Sequence, residues 1–281
     1  MKKTIVILGI VFLVFGCKST DSQKEVSTAD ADSAVSVTSS LSENELHTIM
    51  ESIPSPLELS SLILNSGAPY SESILNNNEN LSKYNSEFSK AVNLGIFGAD
   101  LGYVNLYEKT FSSMDYLNSV YKLSTDLNVG EFFDFNTLKR LATNNQNLDS
   151  IVYITTSGFE KMQRHLKKMN NTQIGVLMIV GGWIEGLYLT TEIIQIAKPS
   201  QANELKLTVY DEHIVLTDIL KLTEAFKSNP NFNDLNTSLN TLNNVYSSIP
   251  DSANGQNATA KDKHFNELVA QIKSIRNKLI Q

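Results

Sequence analysis

NTQIGVLMIVGGWIEGLYLTTEIIQIAK, residues 171–198, is the stretch of sequence that decides the fold. Residues 175–184 form an unbroken apolar run, and Glu185 and Glu192 follow it. A helix that is apolar on every side lies either in a large core or in a membrane. The run is about half of the ~20 residues that cross a bilayer, and the two glutamates make crossing costlier still. We therefore predict that residues 172–198 form the central helix of a soluble helical domain.

Helix start and stop signals recur on both sides of this segment. The sequence SENE from Ser42 has the pattern of a capping box, and SPLE from Ser55 adds a proline at the first helical position. Asp134 can cap a short helix, and a further helix begins at either Leu148 or Ser157. Other helical patterns cover residues 81–106, 111–128, 200–226, 232–246 and 259–280.

Strand signals are scarce in comparison. No segment alternates with period two over a useful length, and residues 151–154 are the one short strand-like run. We predict an all-α fold, a single multi-helix bundle over residues 41–281. That length is enough to build one sizeable core.

The glycine-bearing segments repeat a spacing that suggests a duplicated helical hairpin. Two sets of small residues share the intervals 7 and 4 and stand 84 residues apart: Ala91, Gly98 and Gly102, then Gly175, Gly182 and Gly186. The alternative is that helices reuse a small vocabulary of residues by chance. The period is too long for a standard short helical repeat.

The N-terminus has the layout of a secretory signal. Lys2 and Lys3 precede an apolar run over residues 5–15, and Gly16 stands before Cys17, the one cysteine of the chain. The sequence VFGC, which ends at Cys17, resembles a bacterial lipobox, in which the cysteine thiol receives a diacylglycerol. Its phenylalanine is bulkier than the residue usual at that place. An ordinary secretory signal with a chance cysteine is the alternative.

These features divide the chain into three parts. We predict a lipoprotein signal peptide over residues 1–17, with lipid attachment at Cys17. Residues 18–40 are Ser, Thr, Asp and Ala with few large apolar side chains, so they cannot bury enough surface to offset their ordering entropy. We predict a disordered tether there, followed by the helical domain over residues 41–281.

Charge and cysteine content limit the partners. Once Lys2 and Lys3 leave with the signal peptide, 21 basic residues face 30 acidic ones, a net charge of −9. This acidity argues against nucleic acid or anionic lipid as the main partner. The membrane is therefore expected as a partner through the N-terminal lipid alone. With Cys17 modified, no thiol remains for disulfide or thiolate chemistry.

Two glycine pairs are candidate seam residues. Gly98 and Gly102 lie one helical turn apart, and so do Gly182 and Gly186. Each glycine costs up to about 1 kcal/mol of helix propensity relative to alanine, which implies a compensating gain. The first interpretation is close helix packing. The second is a gap that admits a ligand or a partner side chain.

Acidic and phenolic residues accompany both glycine pairs. The candidate seam residues of this kind are Asp100 and Tyr103 on the first helix, and Glu185, Tyr188 and Glu192 on the second. If both stripes face inward, buried carboxylates converge, and such a group is a functional-site candidate. The alternatives are that these acids reach solvent or pair with a cation such as Arg140 or Arg164. Trp183, the single tryptophan, is expected in the core.

Motifs for metal and cofactor chemistry are missing from the sequence. None of the four histidines has a glutamate three residues before it, as di-iron bundles require. There is no zinc-binding histidine pair, calcium loop, phosphate-binding glycine loop or nucleophile elbow. We predict no cofactor, no metal and no catalytic residue.

Three segments carry a resemblance to a group of proteins. The sequences GADLGY from Gly98, EFFDF from Glu131 and GGWIEGLY from Gly181 are similar to uncharacterised lipoproteins of Bacteroidota, over residues 53–198. The resemblance implies a bacterial source and the cell envelope, and it implies no activity. The resemblance also implies an export rule: in that phylum, export to the cell surface depends on several acidic residues soon after the lipid-bearing cysteine. Residues 18–21 hold one, which favours the periplasmic face of the outer membrane.

Three functions follow as expectations. The first is a lipid-anchored interaction or scaffold module that faces the periplasm, with an envelope protein as its partner and no nucleic acid. The second is a small-ligand-binding lipoprotein with a pocket between the glycine-bearing helices. The third, which ranks below the other two, is an acid/base enzyme that uses Asp100 and Glu185.

Overall fold

The apolar segment forms one long helix at the centre of the fold. The computed structural model describes residues 41–144, 148–169, 171–249 and 258–281, and all of these belong to one compact unit, Val37–Gln281. The central helix runs from Thr172 to Ile196, two residues short of the predicted end. The predicted signal peptide, Cys17 and the tether lie outside the described residues.

The described residues form eleven α-helices and no strand, which confirms the all-α prediction. In chain order they are α1 (Glu43–Ser52), α2 (Pro56–Asn65), α3 (Glu87–Leu106), α4 (Thr110–Asp126), α5 (Phe135–Asn144), α6 (Leu148–Lys168), α7 (Thr172–Ile196), α8 (Pro199–Asp211), α9 (His213–Glu224), α10 (Pro230–Ser247) and α11 (Ala258–Leu279). Short 3-10 helices span Asn78–Lys83 and Gly130–Phe132. The strand-like run at residues 151–154 lies inside α6.

The capping signals work as predicted at three helix starts. Ser42 accepts a hydrogen bond from the backbone N–H of Glu45, whose carboxylate accepts one from the backbone of Ser42 in return. Ser55 accepts from the second residue of α2, and Pro56 is its first residue. Asp134 accepts from the backbone N–H of Thr137 at 3.0 Å. These contacts satisfy N–H groups that a helix start otherwise leaves unpaired.

Two predicted helices have different bounds, each for a local reason. The pattern over residues 81–106 begins as a helix at Glu87, because Ser86 and Ser89 bond each other's backbone N–H groups there. The pattern over residues 200–226 is divided at Glu212, which ends α8 and precedes α9. Glu212 turns its side chain inward to accept a hydrogen bond from Trp183.

α7 is enclosed by the rest of the bundle and packs most extensively against α3. The two helices run parallel, because Lys90 and Ile174 line one cleft near their N-terminal ends while Asp100 meets Glu185 further along. α2, α8 and α11 also pack on α7. Among the described residues α7 is the one helix long and apolar enough to cross a membrane, and its apolar window is entirely buried inside the bundle. This burial agrees with the predicted position of the helix in the core of the bundle.

Candidate functional site

The α3–α7 seam is closed by two glycines that bring the helix backbones together. A Cβ atom on Gly95 would lie 2.0 Å from the carbonyl oxygen of Met178 and 2.8 Å from the backbone nitrogen of Gly182. A Cβ atom on Gly181 would lie 2.0 Å from the carbonyl oxygen of Val92. Real Cβ atoms do not come this close to their neighbours, so both positions require glycine. The seam is therefore a backbone-to-backbone contact with no room for a ligand at these positions.

The glycines singled out from the sequence lie around this contact in different ways. Cβ atoms on Gly102 and Gly186 would meet the side chains of Leu57 and Leu59 of α2, at 3.1 and 2.8 Å respectively. Because these two glycines have no side chains, α2 can pack closely across the α3–α7 pair. A Cβ atom on Gly98 would meet nothing within 4 Å. Gly182 contributes its backbone nitrogen to the contact with Gly95 described above.

Glu185, one of the predicted carboxylates, forms a buried ion pair. Arg276 of α11 donates from Nε to Oε2 and from Nη2 to Oε1, both at 3.0 Å. The Glu185 side chain is 0% exposed and that of Arg276 is 7% exposed. A bidentate arginine–carboxylate pair has defined geometry, and in a buried site losing one partner is costly.

The arginines named from the sequence are not the partners of Glu185. Arg164 pairs instead with Glu160 of its own helix at 3.8 Å, and Arg140 lies near Asp134. That part of the prediction is wrong because the fold places the last helix, α11, over the middle of α7. Sequence distance gave no indication of this contact.

Asp100 lies beside Glu185 and is also fully buried. Its Oδ2 accepts from the backbone N–H of Asn76 at 3.2 Å, while no N–H or O–H group of the described residues reaches Oδ1. Arg276 already bonds both oxygens of Glu185, so a negative charge on Asp100 would be buried without a cation of its own. Burial, and then the charge of Glu185, raise the pKa of Asp100 well above its usual range. Burial also raises the pKa of Glu185, but Arg276 opposes that change, so of the two carboxyl groups Asp100 holds a proton more readily.

The rim of the cluster contains the other predicted residues of α7. Tyr188 lies under the guanidinium of Arg276, with 4.4 Å from Cζ to the ring centroid, which is a cation–π distance. Glu192 pairs with Lys273 at 3.1 Å in a half-exposed position. The structure therefore brings together four of the predicted residues, Asp100, Glu185, Tyr188 and Glu192, and adds two cations from α11.

The end of α11 is tied to the same region through its backbone. Asn93 donates from Nδ2 to the carbonyl oxygen of Leu279 at 2.8 Å. Tyr84 donates to the carbonyl oxygen of Ile280 at 3.4 Å, and its hydroxyl accepts from the amide of Asn76 at 3.2 Å. One polar network thus joins α3, α7, the segment before α3 and the last helix.

Two predicted residues lie elsewhere. Tyr103 stacks on Tyr70 with ring centroids 5.3 Å apart, and its hydroxyl accepts from the backbone N–H of Ser71. Trp183 is 3% exposed, as the core prediction required, and its Nε1 donates to Glu212 Oε2 at 2.6 Å. Burial raises the pKa of Glu212, and the bond from Trp183 opposes that change.

Sequence reasoning missed Arg276, Lys273, Gly95 and Gly181. One signal for Arg276 was present, because it stands four residues after Ile272 and eight after Leu268, on the apolar face of its helix. An arginine on such a face needs a buried partner. Gly95 and Gly181 carried no comparable signal, because glycine spacing does not say which face meets which neighbour.

A half-open cleft lies at the other end of the α3–α7 pair. Its volume is about 320 Å³, with Leu127, Val129 and Ile174 among its apolar lining. Lys90 and Asp126 also line it and form an ion pair at 3.4 Å. The volume is at the lower end of the range for small-molecule pockets.

The buried carboxyl groups of this cluster are closed to a substrate. Asp100 and Glu185 are 0% exposed, so a substrate proton would have no path to either oxygen in this arrangement. Within the described residues, no group of three or more His, Cys, Asp or Glu side chains is arranged to hold a metal ion. Comparison with known proteins finds no matching family model, no similar curated protein and no similar solved structure.

Proposed function

We propose that the protein is a lipid-anchored helical interaction module of the bacterial cell envelope, which faces the periplasm from the outer membrane. The proposed anchor is a diacylglycerol on Cys17, and the proposed spacer is the tether over residues 18–40. The source and compartment rest on the lipobox and on the resemblance to Bacteroidota lipoproteins. The proposed partner is an envelope protein that binds the outer surface of the bundle.

The observation that carries this proposal is that the polar groups of the central seam are engaged internally. Glu185 is paired with Arg276, and Oδ2 of Asp100 accepts a hydrogen bond from the Asn76 backbone. Trp183 is occupied by Glu212. Because these side chains are bonded within the fold, the outer surface is the place we propose for binding a partner. Large apolar side chains are exposed there, with Phe111 92% exposed on α4.

The test is cross-linking and affinity capture of the membrane-anchored protein from envelope extracts. We expect a reproducible protein partner whose recovery falls at least tenfold in Phe111→Ser or in Ile214→Ser, at a side chain that is 76% exposed. Tyr153→Ser, which changes a 71% exposed side chain of α6, is the matched control for general surface polarity. If no partner is recovered while the purified protein binds a metabolite, the interaction proposal is wrong.

The alternative is a small-ligand-binding lipoprotein, and the cleft beside Lys90 and Asp126 is the observation that favours it. The site would lie at this cleft rather than between Gly95 and Gly181, where the backbones touch. Thermal shift against a metabolite set tests this alternative, with Ile174→Trp as the variant that fills the cleft. A ligand that stabilises the wild type and not this variant would support it.

A further inference from the structure

The charge of the bundle is unevenly distributed, and α5 and α6 carry its basic part. Residues 41–281 include 19 basic and 26 acidic residues, a net charge of −7. Residues 135–168 alone include six basic and two acidic ones, a net charge of +4, so the remainder of the bundle has a net charge of −11. A basic segment on an otherwise acidic molecule is complementary to an anionic partner.

The basic side chains of α6 lie on an exposed face near its C-terminal end. Lys161 and Lys168 are both exposed, and the side chain of Arg164 between them is 56% exposed. Glu160, the one acidic residue in the C-terminal half of α6, pairs with Arg164 at 3.8 Å. Met169 directly follows the helix and is 65% exposed. Basic side chains beside an exposed apolar one are typical of helices that lie on a membrane surface. We call this set the α6 basic face: Lys161, Arg164, Lys168 and Met169.

The chain that leads from Cys17 enters the bundle beside the α6 basic face. The first described residues lead directly into α1. In the first turn of α1, Asn44 Oδ1 accepts a hydrogen bond from Lys167 Nζ of α6 at 2.9 Å. Glu43 accepts one from Thr172 Oγ1 at the start of α7, at 2.8 Å. A lipid on Cys17 would therefore be connected to the bundle at the end that carries this face.

The net charge of the whole chain does not decide what a membrane meets at close range. Charges separated by more than a Debye length, about 8 Å at physiological ionic strength, are largely screened from each other. Each Lys or Arg at an anionic surface raises the partition coefficient about fivefold. Three such side chains are too few to retain a free acidic protein. A lipid anchor makes them sufficient, because it holds the face near the membrane at an effective concentration of about millimolar.

We propose that the α6 basic face binds the anionic phospholipid headgroups of the membrane that carries the anchor. Its three basic side chains contact headgroup phosphates, and Met169 enters the boundary between headgroups and acyl chains. The opposite end of the α3–α7 pair, where Phe111 is 92% exposed, is then directed away from the membrane. This inference rests on the proposed anchor at Cys17 and adds the surface through which the bundle meets the membrane.

The experiment is hydroxyl-radical footprinting of the full-length expressed protein, reconstituted with vesicles of phosphatidylcholine alone or with phosphatidylglycerol added. Oxidation of Met169 is measured by mass spectrometry and divided by oxidation of Phe111, an internal reference at the other end of the α3–α7 pair. Flotation of the same samples reports separately whether the protein is anchored to the vesicles.

Two double variants with the same change in charge are compared. Lys161→Gln with Lys168→Gln removes two charges of the α6 basic face. Lys109→Gln with Lys198→Gln is the matched control, at exposed lysines that shortly follow the C-terminal ends of α3 and α7. Since α7 has 25 residues at about 1.5 Å each, the control lysines lie roughly 37 Å from the proposed contact.

We expect the ratio of Met169 to Phe111 oxidation to fall severalfold when phosphatidylglycerol is present, and to recover at high salt. Two charges at about fivefold each predict a docking constant about 25-fold lower in Lys161→Gln with Lys168→Gln, so Met169 stays reactive in that variant. The control variant should behave as the wild type does.

Flotation separates failure of this inference from failure of the anchor. If the protein floats with both vesicles and the oxidation ratio is the same in both, the α6 basic face does not bind anionic lipid and the anchor stands. The same conclusion holds if the two double variants are protected equally. Protein that floats with neither vesicle contradicts the anchor and this inference together. Protection of Met169 that requires added envelope proteins in place of anionic lipid would assign the face to a protein partner and overturn the inference.

Discussion

Asp100 shows how one buried carboxyl group can make stability depend on pH. Its folded-state pKa is raised, chiefly by burial, above the value of about 3.9 in an unfolded chain. The folded protein therefore holds a proton that the unfolded chain releases. The contribution of Asp100 to the free energy of unfolding is greatest below pH ~3.9, and it falls by about 1.4 kcal/mol per pH unit until the folded pKa is reached.

Asp100→Asn is the variant that isolates this effect. We expect the difference in unfolding free energy, variant minus wild type, to become more favourable to the variant as the pH rises through that range. Urea unfolding at a series of pH values measures it. Comparing the two proteins cancels the contributions of other shifted groups such as Glu212. Parallel pH profiles would contradict the assignment of the proton to Asp100.

The two cations of α11 predict different costs for the same substitution. Arg276→Met removes the partner of a fully buried carboxylate, so we expect a loss of about 3–5 kcal/mol in unfolding free energy. Lys273→Met removes the partner of Glu192 at a half-exposed site, where an ion pair contributes ~0–1 kcal/mol. Urea unfolding of both variants at neutral pH makes the comparison. Equal costs would mean that the buried pair has no special role.

At the scale of elements, the α3–α7 contact predicts opposite effects for glycine-to-alanine changes on one helix. Gly95→Ala places a methyl group where the carbonyl oxygen of Met178 stands, so the backbones must separate. We expect a loss of about 3 kcal/mol or more, because overpacking against backbone is relieved poorly. Gly181→Ala should behave in the same way.

Gly98→Ala is the matched control for this prediction, three residues along α3. Its methyl group meets nothing within 4 Å, and alanine is the better helix former. We expect a gain of up to about 1 kcal/mol. Thermal unfolding of the three variants measures both signs. A loss in Gly98→Ala, or a neutral Gly95→Ala, would contradict the packing described for the seam.

The elements themselves could be predicted well from the sequence. Helix starts at Ser42, Ser55 and Asp134 follow from capping, which is decided by neighbours in sequence. The break at Glu212 could not be predicted in this way, because it depends on the contact with Trp183, 29 positions earlier. The duplicated helical hairpin stays a prediction.

At the scale of the whole molecule, the sequence identified the acidic residues of the polar cluster and not the cations. The spacing of Asp100, Glu185 and Glu192 marked the acids as candidates, because carboxylates are rare in such apolar helices. It could not supply Arg276, since the contact depends on how the last helix folds back over α7. The sequence could therefore indicate a buried charge, while the identity of its partner required the tertiary arrangement.

The proposed anchor makes a prediction that concerns the whole chain. Cys17→Ser removes the thiol that would carry the lipid, so we expect the protein to move from the membrane fraction to the soluble fraction. Acyl chains supply about 0.8 kcal/mol per buried CH₂, and the net negative charge of the chain opposes binding to anionic lipid without them. Detergent-phase partitioning of the expressed protein measures the change. Membrane retention of the serine variant would contradict lipid anchoring at this position.

Trp183 gives the molecule a built-in optical reporter. It is the sole indole of the chain, so intrinsic fluorescence excited at the red edge of the protein band comes from one known place. Its ring is buried, and its N–H group is held by the carboxyl group of Glu212 at the joint between α8 and α9. Emission colour and lifetime will therefore follow the wetting of that joint. Opening of α8 and α9 can be timed in this way without attaching a dye.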